Sequence, residues 1–316
     1  MKKYIVVGGN GFIGYNMVNY LKEVDPSSKI IIIDNYSTSD RNEDRINSDK
    51  FRNVWHYDVD ISDKNNFKGP ILEEFKDGDS LFHFAARARV QPSIRDCIGY
   101  NNVNVNGTLN LLDLSVKYNV KKFVFSSSSS VYGDTDKYPT DENVDLNPKS
   151  PYALQKLIGE QYCKLYADIY DLDTVSLRYF NVYGEGMSLK GAYTLVMGSW
   201  INCYNNNEKL IIYGDGEQRR DFTYVKDVVR ANYLAYSNSD TQKGDVFNIG
   251  NGDNKSINDI SDVFKDELNC TFEYAEERLE PKITHANNEK AKKILNWKTT
   301  MDVLTWLKTY LKSNII

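Results

Sequence analysis

The chain has 316 residues and a formal net charge of −5, long enough for one large domain or two modest ones and able to bury a full core. No apolar run approaches the ~18 residues of a membrane span, the first strand begins without the charged and apolar regions of a leader, and no basic stripe supports a nucleic-acid role. The four cysteines (Cys97, Cys163, Cys203, Cys270) and the three histidines (His56, His83, His285) are scattered without disulfide or metal-ligand spacing, so the expectation is a reduced, cytoplasmic protein with no metal.

The chain opens on a β-branched run, Tyr4 to Val7, that turns through Gly8, Gly9 and Gly11 into a helical pattern carrying Gly14 on its first turn. A strand, tight turn and helix in that order aim free N–H groups and the positive end of the helix dipole at one point, where a pyrophosphate sits. Both Gly9-x-Gly11-x-x-Gly14 and Gly8-x-x-Gly11-x-x-Gly14 fit the spacing. About 20 residues past the last glycine, a second apolar run, Ile30 to Ile33, ends in Asp34, where an acid binds the adenosine ribose hydroxyls. Asp34 favours NAD over NADP, because its charge repels a 2′-phosphate and Asn35, Tyr36 and Ser37 offer no cation. A glycine-rich turn of any α/β protein is the plainer alternative.

Residues 39–51 read as a loop and short helix, NVWHYDV as a strand, and 64–76 as helical. Asp58 and Val59 end that strand on the side that faces an adenine in a doubly wound sheet, and an ordinary strand-end loop fits them as well. The next strand, SLFHFAA, ends on Ala85 and Ala86, whose small size suits the close passage of a cofactor. A long helix is expected from about Asp96 to Tyr118, before the apolar strand KFVFS. Strands alternating with helices through five units predict an α/β fold with a doubly wound parallel sheet.

The fifth strand runs into SSSSSVYGD, Ser126 to Asp134, at the carboxyl end of a central strand, where such folds place their chemistry. Pro151 suits the first position of the next helix, and Tyr152 and Lys156, four residues apart, share one face of it. Hydride removal from a sugar carbinol needs the hydroxyl proton to leave too, and a phenol with a pKa of about 10 is a poor base. An ammonium beside it and a positive nicotinamide stabilise the phenolate, and Ser128 directs the same hydroxyl.

GGNGFIG, Asp34, HFAARA, NVNGTLNLL, SSSSSVYGD, PYALQK, RYFNVYG and GDGEQRRDFTYVKDVV together resemble the extended short-chain dehydrogenase/reductase family, over essentially the whole length. The likeness is to its nucleotide-diphosphate-sugar epimerases, UDP-glucose and UDP-N-acetylglucosamine 4-epimerases above all. It implies Ser128, Tyr152 and Lys156 as the catalytic trio, with Lys156 also holding the nicotinamide ribose. It implies an NAD cleft lined by Gly8, Gly11, Phe12, Ile13, Gly14, Asp34, Asn35, Ser37, Asp58, Val59, Phe84, Ala85, Ala86 and Asn104, with Tyr179 flanking the nicotinamide. The substrate set it implies is Ser128, Ser129, Ser130, Tyr152, Asn181, Val196, Tyr213, Arg220, Arg278 and Thr284, with Asn181 and Arg220 on the diphosphate and Arg278 near the nucleotide.

Beyond residue 180 the strands shorten and the alternation lapses, which predicts a Rossmann domain over 1–180, with later segments returning to it, and a smaller substrate-binding domain over 181–316. A homodimer is expected through the two long helices. Departures from the common pattern are Val196-Met197-Gly198-Ser199 in place of Val-Ile-Pro-Lys, Arg87 where a neutral residue is frequent, Asn287 for Asp and Asn296 for Gly. Dehydratase relatives carry Asp-Glu where this chain has Ser129 and Ser130, which cannot remove water across C5 and C6. A 4-epimerase is the leading expectation. A dehydratase or decarboxylase on the same scaffold and a non-catalytic dinucleotide sensor are the alternatives, the sensor disfavoured by the retained trio.

Overall fold

The computed structural model describes residues 1–37, 53–189, 195–277 and 281–315. The segment expected as a loop and short helix at 39–51 and the predicted ligand Arg278 lie outside the described residues.

The strands are β1 (Lys3–Val7), β2 (Lys29–Asp34), β3 (Val54–Asp58), β4 (Ser80–His83), β5 (Lys122–Ser128), β6 (Asp173–Tyr179), β7 (Val182–Tyr183), β8 (Leu210–Tyr213), β9 (Arg219–Asp221), β10 (Thr223–Tyr224), β11 (Asp245–Ile249), β12 (Asn254–Ser256) and β13 (Phe272–Ala275). The helices are α1 (Phe12–Val24), α2 (Pro70–Phe75), α3 (Val90–Arg95), α4 (Cys97–Asn101), α5 (Gly107–Lys117), α6 (Pro151–Tyr170), α7 (Val196–Asn205), α8 (Val225–Ser237), α9 (Ile257–Leu268), α10 (Glu289–Leu295) and α11 (Val303–Asn314).

Seven strands form one parallel sheet in the order β11-β6-β5-β4-β1-β2-β3. Tyr4–Val7 and Ile30–Ile33 have no exposed surface, so these runs are apolar throughout, as strands covered on both faces must be. Met17, Val18, Leu21, Val228 and Leu295 cover one face; Ile71, Phe75, Leu111, Leu112 and Cys163 cover the other. The order reverses between β1 and β4, the switch point at whose carboxyl ends an open α/β sheet binds its ligand. Register brings Val7 beside Ile33 and His83, Asp34 beside Asp58, and Ser128 beside Tyr179, so the candidate residues share one edge.

Two expectations shift. β4 stops at His83, so Ala85 and Ala86 lie just past the strand. The long helix is broken by a turn of π-helix at Asn102–Asn106. The Thr108 hydroxyl donates to the Asn104 carbonyl at 2.7 Å, competing for the acceptor that a regular turn would give to a backbone N–H.

After residue 180 the chain both leaves the sheet and returns to it. β11 pairs with β6, while α7, β8, α9 and α11 gather around Trp200, Phe264 and Trp306 as a separate core. α9 begins with a reciprocal capping box between Ser256 and Asp259. Among the described residues no helix is long and apolar enough to cross a membrane.

Candidate active site

The turn after β1 is built as its glycines require. Gly8 has φ +80°, and a Cβ there would stand 2.5 Å from the Ala85 amide nitrogen; a Cβ on Gly14 would stand 2.1 Å from the Gly8 carbonyl oxygen. The cleft over this turn is lined by Gly8, Gly11, Asp34, Asn35, Ser37, Val59, Phe84, Ala85 and Ala86 of the expected set, together with Asp60, Ile61 and Arg87. Asp58 is exposed at the end of β3, and Asp60 and Ile61 form the wall beside Val59. Asp34 accepts from the Asn10 amide through one oxygen and from the Tyr36 amide through the other, each at 2.9 Å. Burial raises its pKa and those two amides oppose the rise.

Phe12 and Ile13 open α1, next to Gly14, and pack against the second core. Asn104 is hydrogen-bonded within the protein. Its oxygen accepts from the Arg87 amide at 2.8 Å, and its nitrogen donates to the Arg87 carbonyl and to Gln155, both at 2.9 Å. It therefore braces the loop after β4 against the π turn and α6. Tyr179 likewise turns inward, its hydroxyl 3.1 Å from Ser126 Oγ and donating to Asn232 at 3.0 Å.

α6 starts with Ser150 accepting from the Ala153 amide and with Pro151 at its first position, which fixes where Tyr152 and Lys156 emerge. The Tyr152 amide donates to Ser93 Oγ at 3.2 Å. One turn on, Lys156 donates from Nζ to the Ser126 carbonyl at 2.7 Å and is 5% exposed. Burial pushes Lys156 down to about 8, with Glu160 opposing. Ser128 ends β5 and accepts from Ser130, at 3.2 Å from its amide and 3.0 Å from its hydroxyl, within the 3-10 turn Ser129–Tyr132.

On the other side of the edge, Asn181 donates to the Asp221 carbonyl at 2.8 Å and to Thr284 Oγ1 at 3.3 Å. Thr284 Oγ1 also accepts from the Asp221 amide at 3.0 Å, and Arg220 donates to the Arg219 carbonyl at 3.0 Å and the Lys282 carbonyl at 3.4 Å. Asn181, Arg220 and Thr284 are thus brought together across β9. Val196 opens α7 and packs on the smaller core, and Tyr213 ends β8.

The NAD dependent epimerase/dehydratase family matches this chain over residues 4–250. The chain belongs to that family. It is 32% identical to the UDP-glucose 4-epimerase of Mycolicibacterium smegmatis, over 93% of this chain and 92% of that one. Its structure matches the UDP-N-acetylglucosamine 4-epimerase of Methanobrevibacter ruminantium in complex with UDP-N-acetylmuramic acid at 34% identity and a TM-score of 0.89, covering 98% and 97% of the two chains. It also matches the UDP-glucuronic acid 4-epimerase of Bacillus cereus, in complex with UDP-glucuronic acid and NAD, at 28% identity and a TM-score of 0.87, covering 98% and 99%.

NAD is the cofactor of this epimerase/dehydratase family. The residues fit it: at Gly8 and Gly14 a Cβ would strike the neighbouring backbone, so glycine is what lets the turn close tightly beneath the cleft, Gly11 lines that cleft, and Asp34 is fixed at its edge. Other residues of the family member's site escaped the motif reading. The Asp221 carboxylate accepts from the Asn251, Gly252 and Ala286 amides at 2.6, 3.0 and 2.9 Å, with burial pushing it up to about 6. Glu160 and Arg178 form a buried ion pair behind Lys156. Arg178 and Asp221 fall within RYFNVYG and GDGEQRRDFTYVKDVV, motifs read for other residues, and Glu160 follows Tyr152 and Lys156 at the same interval of four.

Proposed function

We propose that the chain is an NAD-dependent 4-epimerase of UDP-hexoses, with residues 1–180 and the returning β11 and α8 holding the cofactor and the smaller core holding the nucleotide sugar. The observation that carries this reading is Ser128 at the carboxyl end of β5 with Tyr152 and Lys156 in the first two turns of α6, and Ser129 and Ser130 following Ser128. Hydroxyls there can orient a sugar but cannot supply the carboxylic acid and carboxylate that a dehydration uses.

Tyr152, as phenolate, takes the proton of the sugar 4-hydroxyl and returns it at the end of the cycle. Ser128 holds that hydroxyl by a hydrogen bond. Lys156 stabilises the phenolate through its charge and holds the nicotinamide ribose. The cleft over Gly8, Gly11 and Asp34 would hold NAD, which would supply a reversible hydride acceptor for C4 of the sugar. Asn181 and Arg220 grip the diphosphate, and a bidentate arginine suits that task.

Thr284 stands where resemblance to these epimerases puts either a bulky tyrosine or a small residue against the sugar C2 substituent. Its hydroxyl is fixed by Asn181 and Asp221, and its size leaves room for an N-acetyl group. UDP-N-acetylglucosamine is therefore a substrate alongside UDP-glucose or in preference to it. The assembly is a homodimer: Ile94 and Ile98 of α3 and α4 and Leu154, Leu165 and Ile169 of α6 are 46–78% exposed, on helices that pack together and want an isologous cover. Incubating the protein with a panel of UDP-, GDP- and dTDP-sugars and reading products by NMR tests the function. Dehydrated or decarboxylated products, or none, would overturn it.

A further inference from the structure

The ion pair between Glu160 and Arg178 is more than nine-tenths buried on both sides. Arg178 donates through Nε to one Glu160 oxygen at 2.9 Å and through NH2 to the other at 2.7 Å. Its remaining arm donates to the Tyr132 hydroxyl at 2.8 Å, and Tyr132 donates to Asn248 at 2.6 Å, so the clamp reaches from α6 across β6 to β11. Apolar side chains of the same volume would serve stability as well as a buried pair does. Its position suggests a different task.

Glu160 stands one turn beyond Lys156 and two beyond Tyr152, on the face of α6 that meets the sheet. The serines of β5 are each tied to that face differently. Lys156 takes the Ser126 carbonyl, Ser127 donates its hydroxyl to Glu160, and Ser128 is left at the strand end. Around Lys156, His83 on β4 is buried and pushed down to about 3, hence neutral. Cys163, farther along α6, is pushed up by burial and stays a thiol, as do the phenols of Tyr132 and Tyr179. Tyr166 of α6 is paired with Asp113 of α5, and Arg87 with Asp96 at the mouth. Arg178 is held charged by Glu160 against the pull of burial. Glu160 is therefore the anion that faces the lysine from its own helix.

We propose that Glu160, clamped by Arg178, is a positioning residue for the catalytic lysine: its charge sets the field in which Lys156 and Tyr152 hold their protons, and through Ser127 it fixes the end of β5 that carries Ser128. This rests on the reading of Tyr152 and Lys156 as the proton-transfer pair. Arg178 holds the carboxylate still and does not itself face the sugar.

Glu160→Gln keeps the volume and the acceptor for Ser127 but removes the charge. The kcat profile against pH should move to lower pH, the alkaline limb by about one to two units, the size expected of charges one helical turn apart at an effective dielectric of ~20. The acid limb should move less, because Tyr152 is a turn farther away. Where the lone Arg178 prevents folding, Glu160→Gln with Arg178→Gln should fold and show a smaller shift in the same direction. A profile that overlays the wild type in a folded variant, or failure of both variants to fold, confines the pair to structure and overturns the proposal. Lys156→Met separates the two levels. If it keeps turnover, the catalytic reading itself fails; if it abolishes turnover while both Glu160 variants overlay the wild type, only the positioning role fails.

Discussion

Lys156→Met should cost nearly all activity and no stability. The lysine is 5% exposed and burial pushes it from 10.5 to about 8, a difference of about 2.5 units, so keeping it charged costs the fold about 3 kcal/mol near neutral pH. Methionine has a matching stem and removes that cost, but it leaves the Ser126 carbonyl without its 2.7 Å partner, a loss of about 1–3 kcal/mol. The net expectation is a variant between neutral and about 2 kcal/mol more stable at neutral pH. The sign of the pH dependence follows from linkage. Below pH 8 the lysine is protonated in both states and the full penalty stands. Between about 8 and 10.5 the folded protein releases the proton while the unfolded chain keeps it, so wild-type stability rises with pH in that window. Denaturation of the nucleotide-free proteins at pH 7 and at about pH 9.5 isolates the effect as a difference between the two. The wild type should gain about 2 kcal/mol on the variant over that interval. A difference that stays constant with pH, or a variant more than about 3 kcal/mol less stable at pH 7, would refute the account.

Tyr152→Phe should bind NAD as the wild type does and turn over about 10²-fold more slowly or worse, read by single-turnover kinetics; a variant that keeps most of its rate would remove Tyr152 from the proton path. Gly14→Ala forces a Cβ to within 2.1 Å of the Gly8 carbonyl, so retained NAD should fall at least about tenfold, measured after gel filtration, and full retention would show that the turn can open. Thr284→Tyr should abolish turnover of the N-acetylated sugar while sparing UDP-glucose, and equal loss on both would show that this residue does not gate the pocket. Sedimentation should show a dimer at micromolar protein and a monomer after Ile98→Glu, whose side chain is 78% exposed in the single chain; an unchanged mass would place any interface elsewhere.

The first βαβ unit was legible because all its determinants are local. Tyr4–Val7 and Ile30–Ile33 read as strands from composition alone, and Gly8 and Gly14 are glycines because the backbone comes within a bond's reach of itself. Tyr152 and Lys156 were legible by helical spacing. The π turn was not, since it depends on which of two groups four residues on wins the Asn104 carbonyl. Asn104 and Tyr179 show what a motif leaves out. Their positions match the family pattern, but a motif does not state where an amide or hydroxyl is spent, and here both are used to brace the walls.

The sugar side was least legible because it is assembled around a group with no local partner. Asp221 gathers amides from residues 251, 252 and 286, contributed by two segments that are 30 and 65 positions away in the chain. Its own backbone receives Asn181 and orients Thr284, so two residues expected to touch substrate are set by the main chain of a residue whose carboxylate is anchored elsewhere. The cost appears in its pKa, raised to about 6 by burial even with three donors opposing. A buried carboxylate satisfied only by backbone amides cannot be exchanged for an amide without turning one donor against another. That requirement ties β9 to the loop after β11 and to the segment entering α10, and with them the positions of Asn181 and Thr284.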